Sequence, residues 1–431
     1  MKKIFMLMAS AAIVFAASCN KIEEVNTPEP VVETELITVD LNPMTKTSLD
    51  GKATTWSAGD AVSVTVGGEN IGTLTLVEGS TFSGEVKAGH NGEATLNYPA
   101  GVTSVPASQA AVAGSFANGA ALLEGKTTMD ALRAGEGAQL SNTTALLQFS
   151  VAQAGDVTFE VGSTKYTVTG CQTDKTYYAC VAPATASFTA RINGYLSKQA
   201  SKNPTFTANK ISDLGQLPAP EASGWVVAGA YNNWKDDATA KKLYKDISGF
   251  VVKNFEPTGE FKLVSGGKWY STMVPAAASK KWCLLKENQA NMSRPTGTYD
   301  LWISADGKET CLVNAGASAP TISDANRQYY IVLQHNWSWN NRKLYSWDAS
   351  NGNAALTGSW PGSAPKGTFN YDNMGYSYWE IPSSVYGKKL GIIFSHDNGL
   401  EQTKDKFIEN YRDDKRYWLE WKDPDRIANE F

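Results

Sequence analysis

The sequence is poor in the residues that most chemistry needs. Three histidines, His90, His335 and His396, are spread over 431 residues, and none falls in the i, i+4 spacing of a helical zinc motif. The five cysteines include no CxxC pair, which excludes the common structural zinc spacings. There is no Gly-x-Ser-x-Gly elbow and no phosphate-cradling glycine loop. Charge is sparse and nearly balanced, with 39 Lys+Arg against 43 Asp+Glu, so no basic stripe exists to hold nucleic acid. Runs with a helical apolar period are few, which argues against a bundle. Asp236-Asp237 and Asp413-Asp414 read as solvated loop charges.

What is abundant points to short strands and turns. The chain carries 37 glycines and 11% aromatics, with an ordinary 42% of hydrophobic residues. Its length suits two to four domains at roughly 100–200 residues each. Tryptophan is unevenly placed: twelve of 13 lie between Trp225 and Trp421, and the first 220 residues hold only Trp56. Two kinds of domain have been joined.

The start of the chain reads as an address. Lys2 and Lys3 precede an apolar run from Ile4 to Ala17, then Ser18 and Cys19. A charged start, a short apolar core and small residues before a cut mark a secretory signal. The Cys directly after the small residues suggests a lipoprotein signal over 1–18 with lipidation at Cys19. An ordinary signal with an incidental Cys is the other reading. Several acyl chains on Cys19 would anchor firmly, where one alone holds weakly. Residues 20–24 (Asn-Lys-Ile-Glu-Glu) resemble the acidic export tag of Bacteroidetes surface lipoproteins. That resemblance implies a protein on the extracellular face of the outer membrane, with 19–35 as a lipid-anchored tether.

Residues 36–217 are expected to form a β-sandwich. Residues 62–66 and 72–76 alternate apolar and polar with period two, and further strand-like stretches follow at 145–151, 157–161 and 166–169. Lys46–Gly51, Thr55–Asp60, Val105–Gln109, Thr144–Phe149 and Ile211–Gly215 resemble the pattern of fimbrillin-like domains, whose members form pilus subunits or surface modules. Trp56 and Asp60 read as a core aromatic and a turn acid. Cys171 and Cys180 flank a hairpin, and they are either a disulfide or two buried free thiols.

Pro218, Pro220 and Ser223 mark a linker into a second segment, 222–316. The run Trp225–Trp234 leads from an apolar strand into an Asn-rich turn, Glu260–Val264 and Gly297–Ile303 add alternating strands, and the order resembles the starch-binding domains of SusE/SusF outer-membrane lipoproteins. The resemblance implies exposed aromatics with a nearby cation. Carried over, the candidates are Trp234, Trp269, Tyr270 and Trp282 with Lys268 and Lys281. Trp225 and Trp302 sit on strands and read as core; for Trp234, core packing and sugar contact both stand.

The last segment, 327–431, opens with a buried-looking strand at 328–333 and an aromatic-rich polar turn at 335–342. Tyr345 and Trp347 follow on one strand, with Trp360-Pro361-Gly362 after a loop. This order resembles the family 26 starch-binding modules. The resemblance implies a sugar platform of Tyr345, Trp347 and Trp360, with Gln402 bonding glucose hydroxyls. Residues two apart on a strand share a face, but alternation alone leaves open whether that face is core or solvent.

The fold class expected is therefore all-β, as tandem sandwiches: one fimbrillin-like or Ig-like, then two of carbohydrate-binding type. A catalytic barrel takes about 250 residues, and these segments leave no such block. The expected function is non-catalytic: a cell-surface lipoprotein, without cofactor or metal, that binds starch, maltooligosaccharide or a related α-glucan. It would present the polymer to a SusC/SusD-like importer and a surface amylase. The alternative is a fimbrial or adhesive component whose C-terminal domains bind host glycan or protein.

Overall fold

The computed structural model describes residues 32–43, 56–113, 120–275, 280–335, 341–396, 399, 401–419 and 428–430. The signal and Cys19, the tether up to residue 31, Lys46–Gly51, Thr55, the turn at 336–340 and Asp397-Asn398 lie outside the described residues. The architecture is all-β, and the chain divides into two compact units.

The first unit comprises the described residues of 1–42, 56–100 and 125–139. Its strands belong to a closed barrel of seven, in the order Thr34–Pro43, Thr81–Lys87, Glu69–Glu78, Ala61–Val66, Glu93–Tyr98, Leu123–Thr128 and Ala138–Asn142. Closure leaves no free sheet edge. The period-two pattern explains the filling: Val62, Val64, Leu74 and Phe82 point inward and are buried. Trp56 packs edge-on against Phe82 and Tyr98, 4.9 and 5.2 Å between centroids, and its indole N–H donates to the Leu41 carbonyl at 2.7 Å. Asp60 accepts from the Ser57 amide at 2.7 Å and from the Tyr98 hydroxyl at 3.0 Å. Both residues serve packing and turn.

The second unit holds the rest of the described chain. Its first part is a sandwich. One sheet runs in the order Tyr195–Gln199, Phe188–Ile192, Gly155–Val161, Thr164–Cys171 and Ser108–Ala110; the other is Tyr177–Val181, Ala145–Val151 and Ile211–Leu217. Ala145, Leu147, Phe149 and Val151 alternate into its core, where Phe149 meets Phe159 at 4.9 Å. The single sandwich expected over 36–217 is thus a barrel and a sandwich, because hydrophobic alternation marks strands without saying whether a sheet closes. Cys171 and Cys180 are free and buried in separate apolar clusters. Burial pushes each thiol up to about 12.

Next comes one nine-stranded sheet, with Ala222–Gly229 flanked by Lys241–Asp246 and Phe261–Ser265. Val227, Leu243, Phe255, Phe261, Leu263 and Ile303 form its core. Trp302 is buried, as its strand position implied, and Trp225 is half-buried against that core. The last part is again two packed sheets. One runs Gly367–Tyr371, Met374–Glu380, Tyr330–Gln334, Lys415–Leu419 and Ala428–Glu430. The other joins Ala354–Ala355, Arg342–Asp348, Leu390–His396 and Glu401–Gln402, with Lys406–Ile408 also paired to Leu390–His396. Between them lie Ile331, Leu333, Leu344, Trp379, Ile392, Phe394, Tyr411 and Tyr417.

The three parts of this unit are fused rather than strung on loose linkers. Arg191 clasps Asp246 with contacts of 2.6 and 3.3 Å, and Arg327 clasps Glu309 at 2.6 and 3.0 Å. Trp282 donates its amide to the Asn326 carbonyl, and Gln328 donates to the carbonyl of Trp282. Met273, Val274, Cys283, Tyr330, Val332 and Tyr376 form one apolar cluster drawn from both the 222–316 and 327–431 segments.

Asp414 departs from the solvated-loop reading. It is buried at this junction, where its carboxylate accepts from the Tyr330 amide at 2.7 Å. Burial pushes its carboxyl up to about 7, while the Tyr330 amide and Lys286 oppose the rise. The folded value lies above the unfolded value of about 4, so the stability it lends is complete below about pH 4. That stability is lost as pH rises through about 7. Asp414→Asn fixes the neutral form and keeps an acceptor for the amide. Denaturant unfolding at pH 4.5, 6 and 8 is expected to show the variant gaining on wild type as pH rises; a constant difference would contradict it.

Candidate functional site

The strand Arg342–Asp348 settles the alternation that the sequence left open. Leu344 is buried in the core between the two sheets, and Ser346 is buried with its amide donating to the Thr357 hydroxyl at 2.8 Å. Tyr345 and Trp347 must therefore occupy the outward face. Register extends that face across its neighbours: Tyr345 lies opposite Ile393, Trp347 opposite Gly391, and Gly391 opposite Phe407. Lys343 lies opposite Ser395, and Ser395 opposite Gln402. Residues directly opposed in an antiparallel pair project to the same side, so these three rows form one surface.

The rings are contiguous. Tyr345 stands 5.7 Å from Trp347 and 5.6 Å from Trp360, and Trp347 meets Phe407 edge-on at 5.8 Å. Trp360 is 42% exposed. Its loop is pinned to the sheet: Leu344 and Ser363 exchange backbone hydrogen bonds at 3.0 Å each way, and the Ser395 hydroxyl donates to the Pro361 carbonyl at 2.8 Å. Glycine at 362 is required, with φ of +97° and the site of a Cβ only 2.2 Å from the Leu344 carbonyl oxygen.

Trp347 departs from the expected open platform. It is 6% exposed, nearly sealed although it faces outward. The reason is Gly391, where an added Cβ would lie 2.1–2.5 Å from atoms of the Trp347 indole. With no side chain on the facing residue, the indole lies down on the neighbouring strand between Tyr345 and Phe407. Trp347 is a pedestal, and Tyr345, Trp360 and Phe407 are the rings with surface to offer. Gln402 is exposed at the edge of the same face. Lys389 holds its ammonium 4.9 Å over the Phe407 ring and pairs with Glu409 at 2.7 Å.

In the 222–316 segment the expected residues divide. Trp234 and Trp269 come together, 6.2 Å between ring centroids, and both are partly exposed. Trp234 adopts φ of +59°, an unusual conformation for a bulky residue, held by its amide donating to the Gly229 carbonyl at 2.9 Å. Lys268 does not join them. It alternates with Trp269 along Lys268–Ser271, and its ammonium pairs with Glu287 at 2.7 Å beside the Tyr270 hydroxyl. That hydrogen bond raises its pKa. Trp282 is a correction: it is fully buried, and its indole N–H donates to the Pro320 carbonyl at 2.8 Å. Its ring packs with Val251, Trp302, Cys311 and Val313 and offers no surface to a ligand.

Phe407 escaped the sequence reading because Phe407-Ile408 is a two-residue apolar step in the charged stretch 404–409, without alternation around it. The available signal was a large apolar residue with no apolar partner two positions away. Among the described residues no cluster of three or more His, Cys, Asp or Glu is placed to hold a metal ion.

No protein-family model matches the chain, and no curated protein does. Solved structures that it resembles include a "putative cell adhesion protein" from Bacteroides ovatus, at 14% identity and TM-score 0.28, with 42% of this chain and 92% of that one covered. Another of the same description, from Bacteroides thetaiotaomicron, matches at 10% identity and TM-score 0.24, covering 42% and 91%. Likenesses at this level carry no inference for this chain.

Gly391→Ala places a methyl inside the Trp347 indole. Overpacking of this kind costs about 1–3 kcal/mol, so a lowered unfolding midpoint is expected in chemical denaturation. Restoration in a Gly391→Ala, Trp347→Leu double variant would show that the clash is with this ring.

Proposed function

We propose that the protein is a non-catalytic, lipid-anchored component of a Bacteroidetes-type cell surface. In this reading it binds starch or a related α-glucan and presents it to a polysaccharide-uptake system. The observation that carries the reading is the outward aromatic face of the last module, above all an exposed Trp360 held in a pinned loop beside Tyr345. Isolated exposed apolar residues are common, but a contiguous aromatic patch on a rigid sheet needs a partner. Sugars present axial C–H faces to such rings, with contacts comparable to aromatic pairs at about 0.5–1.5 kcal/mol each.

Two or three such contacts with a few hydrogen bonds correspond to roughly 10 μM to 1 mM. Weak sites suit a surface that must release its polymer, and neighbouring sites recover strength through effective concentration. The Trp234–Trp269 pair is proposed as the second contact. The non-catalytic part is supported by the structural use of the buried carboxylates: Asp246, Asp300, Glu309 and Asp348 face Arg191, Lys253, Arg327 and Lys388 as ion pairs, and Asp414 holds the Tyr330 amide at a junction of segments. Anchoring through Cys19, and partnership with an importer and a surface amylase, belong to the same proposal and rest on the sequence.

Affinity electrophoresis in native gels containing amylopectin, pullulan, dextran or xylan tests it. Retardation by amylopectin and pullulan is expected, with the Tyr345→Ala, Trp360→Ala variant at least tenfold weaker and its fold retained by circular dichroism. Unchanged mobility in every gel, or co-purification with pilus shafts, would sink the reading in favour of an adhesive role. Reducing sugar released from amylopectin would overturn its non-catalytic part.

A further inference from the structure

Of the nine large hydrophobic side chains exposed among the described residues, two are aromatic, Trp360 and Phe407. Both lie on the outward face just described. They occupy opposite ends of one chain of ring contacts, since Trp360 joins it at Tyr345 and Phe407 joins it at Trp347. Successive separations of 5.6, 5.7 and 5.8 Å keep the spacing even. Phe407 is 45% exposed, and its register partner Gly391 contributes no side chain to cover it.

Polar groups accompany the ring. Lys389 reaches over it and pairs with Glu409, so a donor and an acceptor stand at its margin. An exposed cation–π contact is weak, and the four-carbon arm of Lys389 is free to exchange the ring for a hydroxyl oxygen. At the other end of the face the exposed polar side chain is Gln402, in the row of Lys343 and Ser395.

We infer that Phe407 is a sugar-contacting residue that lengthens the face by a further subsite, with Lys389 and Glu409 as its hydrogen-bonding partners. The site then selects α-glucan chains long enough to run from Trp360 to Phe407 over mono- and disaccharides. Trp347, braced between the two ends, is a positioning residue for both. The inference rests on the α-glucan reading above and adds to it a chain-length preference.

Isothermal titration calorimetry with maltose, maltotetraose and maltohexaose tests it on the wild-type chain and on Phe407→Leu, which keeps apolar packing on Trp347 without a ring. Thermal midpoints are measured in parallel. The expected result is wild-type affinity that rises from maltose to the longer sugars. Phe407→Leu should lose about three- to tenfold on the longer sugars, with maltose binding and the midpoint little changed.

Wild-type binding without length dependence would overturn the inference and leave the α-glucan reading standing. So would a Phe407→Leu profile that matches wild type, or an equal loss on all three sugars with a lowered midpoint. Absence of wild-type binding to every sugar would overturn both.

Discussion

Trp347 lies flat because the strand beside it carries no side chain at residue 391. Glycine inside a strand weakens it and commonly marks a place where something must come close. Here that something is an indole, and the outward surface is arranged around it. Tyr345 leans on one side of Trp347 and Phe407 stands on the other, while Trp360 reaches in from a loop held by Leu344, Ser363 and Ser395. Leu344 in turn is fixed by the core between the two sheets, so inward packing dictates what the outer face shows.

Buried charge plays a different part. The Arg191–Asp246 and Arg327–Glu309 clasps sit at the joins between successive β-layers, where removing the arginine would strand a carboxylate nearly sealed from water, while each arginine keeps a second acid, Glu160 or Asp324. Apolar residues from two segments then close over the second join. Within the second unit, residues 140–217 and the segments that composition divides at Pro218 and again near residue 320 are therefore one packed body. The linkers stay largely at the surface but are bonded to the modules they join, the Pro218 carbonyl accepting from the Ser197 hydroxyl and the Pro320 carbonyl from the Trp282 indole.

Strand positions were legible because period-two alternation is strong in this chain, as at Val62–Val66 and Ala145–Val151. Closure of the first sheet into a barrel was not, since closure depends on register between strands distant in sequence. Tyr345, Trp347 and Trp360 were legible as a group. Their orientation was not, because Ser346 and Asp348 suit either face and only the burial of Leu344 decides. Trp282 misled for the opposite reason: a Trp beside Lys281 in a loop-like stretch looks exposed, yet it bridges to Arg327 and is sealed by the segment that follows. Phe407 was invisible because the glycine that gives it meaning lies sixteen positions earlier.

In the proposed reading, the fusion of the last two modules would constrain any polymer that reaches both the Trp234–Trp269 pair and the Tyr345–Trp360 end. With the described residues of the two modules packed together, the distance between the two ends would be set by the protein and not by the guest. Curvature and pitch would then have to come from the proposed ligand, so a coil that already matches would lose little freedom on landing, whereas a straight, stiff chain would engage one end only. Shape of the backbone, beyond the chemistry of single sugar rings, would then decide what is retained.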